Sequence, residues 1–445
     1  MRTRETVLSV LTGLALAAMS AAPEARPPAF PGAEGFGAAT PGGRGGRVIA
    51  VTTLDDSGPG SFREACAAKG PRIIVFRVSG IIDLQTPIAV TEPYATIAGQ
   101  TAPGEGICLK RSEFRINTHD VIVRFLRSRP GDVSGKEMDA MGAGGDAHDV
   151  IFDHCSANWS VDESLSPSGN VSNITVQWCL VGEALNQSVH SKGAHRYGSL
   201  VRATGGVTLH HNLWIDNIER NPRLGDNYGR PPFPVFDVRN NVMYNWGKTC
   251  SGLTGDDLRA NYVRNYLRPG PNSSPRPPIV LAPTAHVQYF VEGNVVEGRP
   301  EYGANAAAMF TPAEAEGHKL FSLAARPFEA PPVETQSAAE AYQDVLDRVG
   351  AVRPARDAVD ARLIDEVRKN SGRIINSQKG VGGWPVYRAA AAPKDTDGDG
   401  MPDDWEAAHG LNPRDPKDAA AVRAGSRYSN IEEYLNDMAR MASPR

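Results

Sequence analysis

From about Asp120 to Gly298 the chain repeats one short phrase in which β-branched or other apolar residues alternate with polar ones: HDVIVRFL, HDVIFDHC, SNITVQWC, GGVTLHHN, FDVRNNV, NYVRNYL and QYFVEGNV. Alternation every second residue is the signature of a strand with one buried face, whereas a helical repeat needs apolar residues three and four apart. Aligning the phrases puts Leu126, Cys155, Cys179, Asn212, Asn241, Asn265 and Asn294 at one equivalent position, with spacings of 29, 24, 33, 29, 24 and 29 residues. A period in the twenties with occasional insertions marks a solenoid whose strands stack in parallel. The pattern therefore predicts an all-β chain, a parallel β-helix. The recurring Asn predicts an amide ladder, because one amide can serve backbone groups of the next coil. Cys155 and Cys179 fall in the same column and read first as stacked buried thiols, second as a disulfide.

Outside the repeat the pattern changes. Upstream, a Gly-rich stretch, a strand over Val48 to Thr52 and a short helix over Ser61 to Ala67 suit a cap on the open end of the solenoid. A phosphate loop is disfavoured, since no strand precedes the glycines and no Lys-Ser/Thr follows them. Downstream, Pro-rich segments give way to two helical phrases. Ser337 and Glu340 have capping-box spacing ahead of an apolar stripe of Ala338, Ala341, Tyr342, Val345, Leu346 and Val349, and a second helix is expected over Asp357 to Lys369. Arg2 and Arg4 ahead of an apolar run from Val7 to about Ala18, then Ser20, Ala21 and Ala22, read as an export signal cut after Ala22. The run is too short to span a membrane, which needs roughly 20 apolar residues. The expected organisation is an export signal at 1–22, the β-helix at 28–320, a helical extension at 321–390 and a small calcium-loop module at 391–445.

Composition refines this picture. The 45 Gly and 34 Pro among 445 residues fit a turn-rich β fold, and the formal charge of −4 offers no general field for nucleic acid. An anionic substrate must then be met by a local cluster. Export implies a secreted or periplasmic protein, and a soluble monomer is expected. Five cysteines are an odd number, so at least one stays without a partner in the chain.

Two patterns carry chemistry. In DTDGDGMPDDWE, carboxylates Asp395, Asp397, Asp399, Asp403 and Glu406 occupy positions one, three, five, nine and twelve of a calcium-loop pattern, with Gly400 at the sharp turn of position six. Pro402 and the lack of a helix before the loop depart from the paired sensor form, so Ca2+ here would be structural. The second pattern lies on consecutive coils: Asp139 in KEMDAM, Asp162 and Glu163 in SVDESLS, and Arg220 with Arg223 in ERNPRLG. Residues one coil apart become neighbours on one face of a solenoid, so these acids can converge on a cation beside an arginine.

With those residues in view, the chain resembles the pectate lyases of polysaccharide lyase family 1, through VIFDHCS, DESLS, VTLHHNLW, IERNPRL and VRNNVMYNW, over roughly residues 28 to 300. The resemblance implies a right-handed single-stranded parallel β-helix, a groove for polygalacturonate or a related uronan, and calcium between substrate and protein carboxylates. It implies Arg220 as the base, and Asp139 and Asp162 as calcium-binding acids. The family's third acid falls near Ser166, with Glu163 as its substitute. Its second arginine falls at Gly225, with Arg223 in its place. Lys192 in HSKGAHRYG is the candidate for the substrate-binding and catalytic lysine. A β-helix hydrolase built on Gly255-Asp256-Asp257, and a carbohydrate-binding solenoid without catalysis, are the rival readings. For Arg220 itself, the rival is a surface ion pair with Glu219 or Asp216.

Overall fold

The computed structural model describes residues 27–283, 286–312 and 321–440; the expected export signal at 1–22 lies outside them. The chain winds through about ten turns of a right-handed parallel β-helix. Its longest sheet has 11 strands, from Arg47–Val51 and Arg72–Phe76 through His148–Asp153, Ser172–Gln177 and Val207–His210 to His286–Glu292 and Phe321–Leu323. A second sheet of nine strands runs from Gly80–Asp83 to Val295–Val296. The third face is broken into three pieces, the first ending with Met141–Ala143 and Leu165–Pro167, the next pairing Leu200–Ala203 with Arg223–Asp226, the last ending at Phe310–Pro312. The long sheet's last strand, Phe321–Leu323, pairs in parallel with His286–Glu292 and so extends the sheet past residue 320.

The alternation read in the sequence sorts side chains as expected. In Arg72–Phe76, Ile74 and Phe76 enter the central core while Ile73 and Val75 point outward, beneath Met401, Ile431 and Leu435 of the C-terminal segment. Covering both faces explains why that strand reads as a continuous apolar run. The helix Phe62–Ala67, capped by Ser61, inserts Phe62 into the same core at 5.4 Å from Phe76 and closes the solenoid's end.

The predicted ladder is present. Asn212 donates its backbone N–H to Oδ1 of Asn241, Asn241 to Asn265, and Asn265 to Asn294, at 2.9, 3.0 and 2.9 Å. Each Nδ2 reaches back to a carbonyl, of Val176, Leu209, Val238 and Tyr262 in turn. The column continues into the cysteines: Cys179 donates its N–H to Asn212 Oδ1, and Cys155 donates its N–H to Cys179 Sγ. Cys155 and Cys179 are free thiols, as are the buried Cys66, Cys108 and Cys250. The residue before each ladder position is left-handed: Phe125, His154, Trp178, His211, Asn240, Arg264 and Gly293 have φ between 50° and 64°. These residues make the sharp corner between the long and second sheets, and four of them, Phe125, His154, Trp178 and His211, stack ring on ring across the coils.

The helices Ala338–Arg348 and Ala358–Lys369 lie on the second sheet, where Tyr342, Val345, Leu346, Leu363 and Val367 pack with Trp178, Leu180, Leu213, Val242 and Tyr244. Fully buried Arg129 joins them to the solenoid through Asp357 at 2.5 Å and Asp360 at 2.6 Å. No helix among the described residues is long and apolar enough to cross a membrane.

Candidate active site

The coils leave the second sheet through long loops and re-enter on the third face, and the predicted acids stand at that re-entry. Asp139 and Glu163 each lie two residues before a third-face strand, Met141–Ala143 or Leu165–Pro167, and those strands pair in register. They are therefore one coil apart in a single column, and the N–H of Glu163 donates to Asp139 Oδ1 at 3.1 Å. The column continues through Tyr197 to Glu219 by parallel bridges. Carboxylate oxygens of Asp139, Asp162 and Glu163 lie within 4.8 Å of one another. Arg220 donates to Glu163 Oε1, and its guanidinium lies 3.8 Å over the ring of Tyr197. Its partner is thus an acid of the cluster; Glu219 pairs instead with Lys248 at 3.3 Å, and Asp216 is buried and bound by Asn245.

The backbone places Arg220 as firmly as its partners do. Its φ is +61°, and a Cβ on Gly252 would sit 3.1 Å from the Arg220 nitrogen and 3.2 Å from its Cγ. A larger residue at 252 would push the arginine from its seat.

The electrostatics are those of crowded anions. Burial first, then Glu113 and Asp162, pushes the Asp139 carboxyl up to about 7. Burial and the charges of Asp139 and Asp162 likewise raise Glu163. Asp162 goes the other way: against the effect of burial, His195 at 2.7 Å holds its carboxyl below the usual range. Three converging carboxylates, with Asp139 and Glu163 raised by burial and by neighbouring acids, suit a hard cation with oxygen ligands. Asp139, Asp162 and Glu163 fit calcium.

Arg223 is in the strand that follows Arg220 and meets no carboxylate at ion-pair distance among the described residues. Burial and repulsion from Arg202 and Arg220 push its guanidinium down to about 10. At Gly225, a Cβ would lie 3.2 Å from both Arg202 Nη1 and Asp256 Oδ2, so the Arg202–Asp256 pair occupies the space a side chain there would need. Arg202 is the register partner of Gly225, one coil earlier. Asp257 pairs with His286 at 2.5 Å, so both acids of the Gly255-Asp256-Asp257 fragment are engaged in ion pairs.

Over 92% of its length the chain is 37% identical to a protein of Aspergillus terreus named probable pectate lyase C, 94% of which is covered. A protein of the same name from Neosartorya fischeri is 36% identical, with 92% of this chain and 93% of that one covered. The chain belongs to the pectate lyase family. Among solved structures, a thermostable pectate lyase superposes with a TM-score of 0.51 at 14% identity, covering 72% of this chain and 97% of that one. A pectate lyase bound to hexasaccharide gives 0.50 at 15% identity, covering 74% and 99%. At such identities the likeness is one of fold. No family model matches the chain.

As a pectate lyase the protein is a polysaccharide lyase, and the residues expected to serve it are unevenly gathered. Asp139, Asp162, Glu163 and Arg220 meet. Ser166 lies outside the cluster, its hydroxyl accepting from the N–H of Leu200. Lys192 is exposed, and the ion pairs around it involve other residues: the same loop brings His190 to 3.6 Å and His195 to 2.7 Å of Asp162. The two imidazoles stack at 3.8 Å, and Tyr197 meets His195 edge-on at 4.2 Å. Sequence reasoning missed His190, His195, Tyr197 and Arg202. The phrase HSKGAHRYG held three of them, but an irregular loop has no period from which to read which side chains turn inward.

In the C-terminal loop, Asp395, Asp397 and Asp399 converge within 4.8 Å, and so do Asp399, Glu406 and Asp418. Asp403, also expected among the ligands, stands outside both groups. Its carboxylate is bound by Lys394 Nζ and by the N–H and hydroxyl of Thr396, each at 2.7 Å, which holds it down to about 2 and ties the two ends of the loop. Asp403 opens the helix Asp403–Ala408, which also carries Glu406.

Proposed function

We propose that this pectate lyase is calcium-dependent, acts outside the cell and cleaves α-1,4-linked polygalacturonate by β-elimination, releasing unsaturated oligogalacturonides. The observation that carries the reading is the contact of Arg220 with Glu163, which brings the arginine of one coil to carboxylates of two earlier coils. Asp139, Asp162 and Glu163 would hold the cation, whose charge, when bound, would acidify the C5 proton by drawing on the adjacent uronate carboxylate.

The chain's own groups do the rest. Arg220, once deprotonated, takes the C5 proton; the electron pair forms the C4–C5 double bond, and the C4–O bond breaks with its electrons on the departing oxygen. An arginine ordinarily holds its proton to above about 12. Arg220 pairs with Glu163, and engagement of Glu163 with a cation would weaken that pair. Tyr197 keeps the guanidinium plane oriented, and Arg223 offers a charge for a second uronate carboxylate along the groove. His195 fixes Asp162. Export rests on the N-terminal run of residues 7–18 behind Arg2 and Arg4.

The test is product analysis on polygalacturonate with calcium and with a chelator. An ultraviolet-absorbing conjugated uronate that forms only with calcium is expected. New reducing ends without that chromophore would make the enzyme a hydrolase, and no cleavage would leave a binding solenoid.

A further inference from the structure

We infer that Asp395, Asp397, Asp399, Glu406 and Asp418 form a second, structural calcium site that fastens the C-terminal segment to the first coils of the β-helix. Asp418, outside the twelve-residue loop, supplies the carboxylate that Asp403 does not. The site is independent of the proposed catalytic centre.

Acidic loops on surfaces are common, and what separates this one is Glu406. It is 0% exposed, and neither of its carboxylate oxygens meets a hydrogen-bond donor among the described residues. Asp399, 5% exposed, leaves Oδ2 without a donor, as do Asp397 at Oδ2 and Asp418 at Oδ1. Buried carboxylates without donors are strongly unfavourable unless a cation or protons neutralise them. The oxygens that lack donors belong to residues whose carboxylates converge within 4.8 Å. The arrangement is built to keep them there: Gly398 and Gly400 donate their N–H groups to Asp395, Met401 donates to Asp399 Oδ1, and Asn430 Nδ2 holds the carbonyl of Asp418 at 2.8 Å. Several oxygens, with a glutamate free to bind through both, suit calcium; magnesium asks for fewer protein ligands in stricter octahedral geometry.

The same loop is pressed onto the solenoid. A Cβ on Gly400 would lie 2.7 Å from Val48 Cγ1, Met401 is buried with Ile73, Val75 and Ala98, and Arg77 meets Asp395 at 3.3 Å. An ion that orders the loop therefore orders its contact with the first strands of the long sheet. Because Asp395, Gly400 and Met401 themselves touch the first coils, an ion that fixes the loop in this arrangement stabilises docking by linkage.

The experiment uses the full chain with calcium as probe and magnesium as comparison. Calcium affinity is followed by titration calorimetry, and docking by limited proteolysis within 391–440. Chelation of the wild-type protein is expected to speed cleavage in that segment at least about tenfold, with magnesium restoring protection less well than calcium. Asp418→Asn and Glu406→Gln should each weaken one calcium site at least about tenfold and raise cleavage in calcium, while Asp403→Asn shifts that affinity less than about threefold. Cleavage insensitive to calcium, or an Asp418→Asn isotherm matching wild type, or a larger loss in Asp403→Asn than in Asp418→Asn, would overturn the assignment. Glu163→Gln distinguishes this result from failure at the catalytic centre, because it should leave the proteolysis pattern unchanged.

Discussion

Arg220 shows how few contacts decide chemistry. It is held by a carboxylate from one coil, a tyrosine face from the next and a glycine from a third. Arg220→Lys keeps the charge but loses the planar group that lies on Tyr197, and turnover should fall at least about 10²-fold with an unchanged circular dichroism spectrum. Normal turnover would remove the residue from its role. The carboxylates make a pH statement. Asp139 lies raised to about 7 because burial and neighbouring acids disfavour its charge, so protons compete with a cation as the pH drops through that value. Calcium affinity at the catalytic centre should weaken below about pH 7, and a flat affinity between pH 8 and about 5 would contradict the ligand assignment. Arg223, pushed down to about 10, loses its charge as the pH rises past that value. The KM for polygalacturonate should then climb, and an Arg223→Ala enzyme should show a high KM without that climb.

At the scale of elements, the amide ladder and the buried arginines do different jobs. Replacing Asn241 with Ala strips the Asn212 N–H and the Leu209 carbonyl of buried partners. Each orphaned group costs about 1–3 kcal/mol, so a loss of roughly 2–6 kcal/mol is expected in denaturant titration. A change under about 0.5 kcal/mol would mean that water takes the amide's place. The helical segment is fastened by charge. Against the cost of burial, Arg129 and Arg127 hold the Asp357 carboxyl far below its unfolded value of roughly 4. A depressed folded value means that this stability is present above the unfolded value and is lost as the pH falls toward the folded one. Acid should therefore loosen the segment below about pH 4, and Asp357→Asn should mimic that loosening at neutral pH, read as hydrogen exchange in the helix Ala338–Arg348.

Over the whole molecule, strands from distant parts of the chain share one core, so protection is global. All five thiols are free and buried, and burial raises Cys66 and Cys250. Ellman's reagent should label none of them in the native protein and all five after denaturation; native labelling of even one would show that a coil opens.

The repeat and the ladder were legible in the sequence because they follow from periodicity, the helices because of their capping residues and apolar stripes, and Asp139, Asp162, Glu163 and Arg220 because they stand in phrases that resemble the pectate lyases on consecutive coils. A period places residues one coil apart on one face whatever the side chains do next. Which side chains enter the site from the irregular loop, with His195 on Asp162 while Lys192 stays exposed, only the tertiary structure decided. So it was with Arg202, seated where a side chain at 225 would go, and with Asp418, which converges with Asp399 and Glu406 while Asp403 meets Lys394 and Thr396. Each of those choices depends on a backbone direction set by packing between segments far apart in the chain, for which a linear pattern carries no signal.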